Sequence, residues 1–329
     1  MKAKAIRLDQ PGPAEALHWV EVDVPTPGKG EVLIKQRAVG LNYIDIYHRQ
    51  GLMGMRDFPA TLGMEGAGEI VAMGEECRFG FQVGDTVAYA GGPPGAYAQY
   101  RTIPERYIVK VPEPLTAEVV AGVMVKGLTA HFLVRRTFIV EEHATILVHA
   151  AAGGVGLLVC QWAKALGATV IGTVGSEEKA ELARANGCDH VLNYKTDNIP
   201  KRVDEISKGK GCNVVYDSVG VATFRQSLDC LCPFGMMVSY GEASGPVPAV
   251  DLNELQRRGS LFLTRPSLDH YIRDHGEYVV ACAALFGRLI DGSLKANIMQ
   301  SYNLRNVAVA HKDLEQRKTT GSTILFTEV

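Results

Sequence analysis

Two rhythms of apolar residues divide the chain. Up to about residue 125, short alternating or apolar runs (Ala3–Leu8, Trp19–Val24, Glu31–Val39, Gly68–Ala72, Thr86–Tyr89 and Ala96–Thr102) are separated by Pro/Gly clusters such as Pro25-Thr26-Pro27-Gly28 and Gly91-Gly92-Pro93-Pro94-Gly95. Closely spaced short strands with such turns predict a small, distorted β-barrel, with one or two helical turns over Asn42–Arg49. From about residue 126 apolar strand-like runs alternate with helical segments. The strands are Ile146–Ala150, Thr169–Val174, His190–Asn193, Val214–Ser218, Gly235–Ser239 and Leu261–Thr264. The helices between them are Gly156–Leu166, Glu177–Ala185, Ile199–Ser207 and Thr223–Leu231. Apolar strands with intervening helices predict an α/β fold: a doubly wound parallel sheet. After about residue 267 a helix near Tyr278–Asp291 and a closing strand Ser322–Phe326 break the alternation. The expected domains are therefore 1–125, completed by 267–329, and 126–266.

Composition changes this picture little. The 329 residues are 47% hydrophobic and 21% charged, with a formal net charge of −2, which fits a globular chain with a large core. Nucleic-acid binding is not expected, because Arg135-Arg136 and Arg257-Arg258 are short pairs and form no basic stripe. No targeting segment is read at the N-terminus, and the apolar stretch near Ile146–Ala163 is too interrupted to span a membrane. Seven cysteines without metal-ligand spacing predict reduced thiols in a cytoplasmic protein.

The strongest chemical signal is Ile146-Leu147-Val148-His149-Ala150-Ala151-Ala152-Gly153-Gly154-Val155-Gly156, leading into an apolar helix. A dinucleotide fold needs glycine where a side chain would block the pyrophosphate, and again where helix meets sheet. Gly153 and Gly156 supply these positions; Ala151 replaces the first glycine of the usual pattern. The N–H groups of such a turn face a phosphate with partial positive charge. The next strand ends in Gly175-Ser176 with no carboxylate at its tip for a ribose hydroxyl. Ser176 and Lys179 suit a 2′-phosphate, so NADPH is the expected cofactor. No H-E-x-x-H, nucleophile elbow or P-loop occurs, and no metal site is expected.

Together with Asn42-Tyr43-Ile44-Asp45, Lys126-Gly127-Leu128-Thr129-Ala130, Val215–Gly220 and Leu261–Ser267, these segments resemble one family along essentially the whole chain. It is the zinc-independent medium-chain dehydrogenases/reductases, and within them the NADPH:quinone oxidoreductases related to ζ-crystallin. The resemblance implies a GroES-like barrel completed by the C-terminal segment, with NADPH in the cleft between it and a Rossmann domain. It implies Asn42 and the backbone near Asp45 at the nicotinamide end, with Thr129 and Phe132 flanking the cofactor. Gly154 and Val155 belong to the pyrophosphate turn, and Ser176, Lys179 and Tyr194 to the adenosine-phosphate pocket. Ser218, Tyr240, Gly241 and Phe262, Leu263, Thr264 line the cofactor from later strands, and Arg317 reaches it from the C-terminal segment. Family members often carry tyrosine where Phe132 stands. Zinc-dependent relatives carry a cysteine ligand near the Gly40–Tyr43 segment and a four-cysteine loop; this chain has neither.

A quinone accepts hydride without a Lewis acid, whereas alcohol oxidation needs help in removing a proton. The expected activity is therefore metal-free reduction of a quinone or other conjugated carbonyl. Asn42 and Tyr47 are candidates to orient the acceptor oxygen and Asp45 to hold the loop. Lys126 and Arg49 are candidates to face developing oxyanion charge. The loop Gly51–Pro59 is expected to shape the pocket. The rival readings are an NADPH-dependent alkenal or enone reductase, and an RNA-binding protein with a regulatory nucleotide site. The apolar run Leu261-Phe262-Leu263-Thr264 on a sheet edge predicts a homodimer.

Overall fold

The structure, a computed structural model, describes residues 1–53 and 57–328. Gly54, Met55 and Arg56, in the middle of the loop expected to shape the pocket, lie outside the described residues. The chain divides into two compact units. The first is Met1–Leu128 with Ile272–Asp291 and Ala296–Val329; the second is Thr129–Tyr271 with Gly292–Lys295.

The first unit is built on an antiparallel framework. Glu31–Leu41 is its longest strand and pairs with Glu65–Met73, Tyr100–Pro104 and Ser322–Phe326. Two register shifts, at Leu33/Ile34 and Gln36/Ala38, bend this strand against Glu65–Met73, which gives the sheet its barrel-like curl. The C-terminal strand lies against the site end of the same strand, with Thr323 opposite Leu41. Ile6, Ile34, Leu62, Ile70, Tyr89, Tyr97 and Leu325 form its buried core.

Two expectations need correction here. The run Ala96–Thr102 becomes a strand only from Tyr100. Its first residues bond to two different segments, Tyr97 N–H to the Leu62 carbonyl and Ile6 N–H to the Tyr97 carbonyl, so no single ladder forms. The C-terminal region also holds more than one helix and one strand. Leu268–Tyr271, Ile298–Asn303 and Val307–Glu315 are additional elements, too short or too weakly patterned to stand out in the sequence.

The second unit is a six-stranded parallel sheet. Its spatial order is His190–Asn193, Thr169–Val174, Thr145–Val148, Cys212–Asp217, Leu231–Ser239 and Phe262–Thr264. The first strand in sequence thus lies near the middle and the order reverses beside it, the switch point at which open α/β sheets bind ligands. Val148, Ile171, Val215 and Met237 are fully buried, as strands covered on both faces require. Phe262–Thr264 is an edge strand, with Phe262 57% exposed.

Candidate active site

In the second unit the candidate residues gather at one end of the sheet, because all six strands run in the same direction. The turn Ala150–Gly153 follows Val148, Gly175 and Ser176 follow Val174, Tyr194 follows Asn193, Ser218 follows Asp217, and Tyr240 and Gly241 follow Ser239. Thr264 ends the edge strand. Gly153 is the N-cap of the helix Gly154–Ala165, which therefore starts two residues before the expected Gly156. Gly156 is there for a steric reason. A Cβ at this position would lie 2.9 Å from the Ala151 Cα and closer still to the Ala150 carbonyl oxygen. The turn brings first-turn N–H groups to the switch point, an arrangement that suits a dinucleotide phosphate.

The tip of the second strand is also defined. Ser176 caps the helix Glu177–Ala185 and accepts a bond from the Lys179 N–H at 3.4 Å. Lys179 lies in the first turn and is half-buried. Glu177, the nearest carboxylate, is exposed and pairs with Arg184 at 2.7 Å. The ring of Tyr194 lies over Gly175, where a Cβ would come within 2.7 Å of its Cζ. Thr129 and Phe132 are buried on the helix Met124–Phe132, and Phe132 stacks on Tyr271 with centroids 4.3 Å apart. The phenylalanine thus has a packing partner that requires no hydroxyl.

Behind the glycine turn lies a buried polar network absent from the sequence reading. Asp217 accepts bonds from the N–H groups of Val219 (2.8 Å) and Gly220 (3.1 Å) and from the hydroxyls of Thr223 and Ser227. His149 bridges Ser227 (3.0 Å) and Thr173 (2.9 Å), and burial holds its imidazole below the usual range and so neutral. The network ties together the ends of three neighbouring strands.

In the first unit the site grows from a helix cap. Asn42 is the N-cap of the helix Tyr43–Arg49, and Asp45 closes a capping box by accepting the Asn42 N–H at 2.9 Å. The Asn42 side chain donates to Glu65 Oε1 at 2.7 Å. Lys126 donates to the same oxygen at 2.6 Å, and Val125 N–H donates to Oε2 at 2.6 Å. Glu65 is completely buried and was missed by the sequence reading. Its signal was the glycine opposite: a Cβ on Gly40 would collide with the Glu65 carboxylate and the Ala121 carbonyl. Asp45 is equally buried, and desolvation pushes its carboxyl up to about 7, against the bonds from Asn42 and Tyr97.

Asn42, Asp45 and Lys126 are therefore brought together, while two expected roles change. The Lys126 ammonium is already compensated by Glu65, so it is not an open charge for an oxyanion. Arg49 is turned inward: it is 2% exposed, is held bidentately by Glu315 at 2.7 and 3.1 Å, and also donates to Gly12 and His311. Its donors are used within the unit, so it does not serve as an oxyanion partner. Tyr47 is half-buried on the same helix, its ring edge-on to Tyr43 at 5.3 Å. Arg317 is exposed, in the turn after Val307–Glu315 with φ 58°.

Known proteins bear on both units. The zinc-binding dehydrogenase family matches residues 154–275 and the alcohol dehydrogenase GroES-like domain matches residues 28–113. Quinone oxidoreductase of Pseudomonas aeruginosa is 46% identical over 98% of this chain and 99% of its own. A 2-haloacrylate reductase of a Burkholderia species is 43% identical over 94% of both. The crystal structure of Escherichia coli quinone oxidoreductase complexed with NADPH superposes with a TM-score of 0.96 at 40% identity, covering 98% of this chain and 100% of that one. The chain belongs to the quinone oxidoreductase family of the medium-chain dehydrogenases/reductases, with a GroES-like domain and a Rossmann-like parallel sheet.

The zinc in one family description does not fit this chain. Among the described residues no group of three or more His, Cys, Asp or Glu side chains is placed to hold a metal ion, and all seven cysteines are free thiols. No helix of the described residues is long and apolar enough to cross a membrane.

Proposed function

We propose that this protein is an NADPH-dependent quinone reductase that works without a metal ion. The observation that carries the reading is the parallel-sheet end: a glycine turn in which a Cβ at Gly156 would strike the Ala150 and Ala151 backbone, next to a strand tip where Ser176 and Lys179 stand and Glu177 is paired with Arg184. These residues fit a dinucleotide with a 2′-phosphate. Gly153–Gly156 would hold the pyrophosphate; Gly175, Ser176, Lys179 and Tyr194 the adenosine phosphate. Ser218, Tyr240, Gly241 and Phe262–Thr264 would line the remainder, with Thr129, Phe132 and Arg317 beside it. When bound, NADPH supplies a hydride, and a quinone that takes it with one proton leaves as the hydroquinone.

The chain's own part is positioning and exclusion of water. Asn42, fixed by Asp45 on one side and Glu65 on the other, offers a rigid contact for an acceptor oxygen, and Tyr47 a second. Lys126 acts through Glu65 by holding that carboxylate in place. A second reading, reduction of an activated carbon–carbon double bond, is favoured by the 2-haloacrylate reductase relative. A steady-state screen of NADPH against NADH, with 1,4-benzoquinone, an alkenal and a haloacrylate, with and without chelator, separates the two. The expected result is NADPH-dependent quinone turnover that chelator leaves unchanged. Turnover of the alkenal or haloacrylate alone transfers the protein to the second reading, and chelator-sensitive turnover defeats the metal-free one.

A cytoplasmic homodimer is part of the proposal. The free cysteines suit a reducing compartment, and the edge strand Phe262–Thr264, with Leu263 also 37% exposed, offers unpaired backbone to a second copy. A monomer by light scattering at micromolar concentration would defeat the dimer.

A further inference from the structure

The capping carboxylate Asp45 ends a buried relay whose hydrogen bonds run in one direction only. Arg49 can only donate, so His311 Nδ1, 3.2 Å from its Nη1, accepts. Burial and Arg49 bring His311 down to about 3, so the imidazole is neutral and its one hydrogen sits on Nε2. That hydrogen points to the Tyr97 oxygen at 3.1 Å, and the Tyr97 hydroxyl then donates to Asp45 Oδ2 at 2.9 Å. Oδ2 also receives the Asn42 N–H, which fills it. The other oxygen, Oδ1, is buried with no hydrogen-bond partner among the described residues. An ionised oxygen in that position costs far more than a protonated one, which carries no charge. Arg49 does not give up a proton, so its end of the relay, anchored on Glu315 and the Gly12 carbonyl, passes none to His311.

We propose that Asp45 is a positioning residue whose Oδ1 takes up and releases one proton, held for this by the Arg49–His311–Tyr97 relay, and that this proton sets the charge of the acceptor half-site. The inference rests on the quinone-reductase reading. The groups facing Asp45 are Asn42 and Arg49 on its own helix, Glu65 on the neighbouring strand and Lys126 on the helix Met124–Phe132. Tyr97 faces it from the loop, with His311 of Val307–Glu315 behind Tyr97 and Glu315 behind Arg49; Tyr89, with Arg101 over its ring, lies further off. With Asp45 protonated, Glu65 and Lys126 balance each other. With Asp45 ionised, a second buried negative charge stands beside them and opposes charge growing on an acceptor oxygen. Since the carboxyl titrates at about 7, turnover falls as pH rises through that value.

The test reads the carboxyl directly, in the full chain without added NADPH. Infrared difference spectra should show a protonated-carboxyl C=O band at pH 6 that disappears at alkaline pH and is missing in Asp45→Asn. Tyr97→Phe removes a bond donated to the carboxylate and should move the midpoint upward by about one unit. His311→Leu should do the same, while His311→Gln, which can accept from Arg49 and donate to Tyr97, should restore the original midpoint. The alkaline limb of kcat/KM for the quinone should move with the band. Absence of a band that depends on Asp45, or a midpoint unmoved by both Tyr97→Phe and His311→Leu, overturns the inference; should Asp45→Asn not fold, the Tyr97 and His311 shifts decide alone. A titrating band without any quinone turnover instead overturns the functional reading beneath it.

Discussion

The two units solve the problem of building a site in opposite ways. The parallel-sheet unit assembles its candidate cofactor site from backbone: strand ends, a helix N-terminus and glycines whose missing Cβ atoms leave room. The barrel unit assembles its candidate residues from buried ionisable side chains, Asp45, Glu65, Lys126, Arg49 and His311, linked by hydrogen bonds in part through Asn42 and Tyr97. The first solution tolerates change in most side chains but not in a few atoms of space. The second depends on every partner being present, since a buried polar group left alone is costly.

The largest expected effect follows from that dependence. Glu65→Gln leaves the Lys126 ammonium buried without its counter-charge, and breaking one side of such a pair costs about 3–5 kcal/mol. Urea unfolding should show this loss. Removing both charges in Glu65→Gln/Lys126→Met should recover much of it, because two neutral groups need no mutual compensation. A Glu65→Gln protein as stable as the parent would mean that the barrel unit is not held by paired charge, and the comparison would fail.

In the parallel-sheet unit the matching change is Gly156→Ala. The added methyl meets backbone at Ala150 and Ala151, which cannot rotate away as a side chain could. Overpacking of this kind costs about 1–3 kcal/mol, less than the unpaired charge. NADPH binding, followed by nicotinamide fluorescence, should suffer more than stability does, because the turn must shift at the atoms that would face the phosphates in the proposed site. Binding unchanged in a destabilised protein would reduce Gly156 to a packing residue.

The same contrast explains what could be read from the sequence. The glycine turn, the helix Glu177–Ala185 and the strand Thr169–Val174 were legible because each is set by neighbours within a few residues, through steric limits, capping and apolar periodicity. Asn42 and Asp45 were singled out through the family resemblance, and the capping box that joins them emerges only from the structure. Glu65, Tyr97 and His311 were not. They join Asn42, Asp45, Lys126 and one another across separations of 23 to 214 residues, and nothing local marks a carboxylate whose partners arrive from distant segments. Arg49 shows the converse error: its place beside the candidate site suggested an outward role, whereas Glu315 and His311, distant in sequence, turn it inward.

The smallest expected effect separates cofactor choice from cofactor binding. Lys179 stands in the first turn of the helix capped by Ser176, where a 2′-phosphate would meet both the helix N-terminus and an ammonium. Lys179→Ala removes the ammonium and leaves the backbone donors and the cap. The dissociation constant for NADPH should rise about tenfold, or about 1.4 kcal/mol, while that for NADH stays nearly constant. The difference should shrink as salt screens the half-buried charge. Titrations of both cofactors at two ionic strengths measure this. Equal weakening of NADPH and NADH would place Lys179 outside phosphate recognition, leaving the backbone of the parallel-sheet unit as the whole of its cofactor grip and making the contrast with the charge-built barrel sharper still.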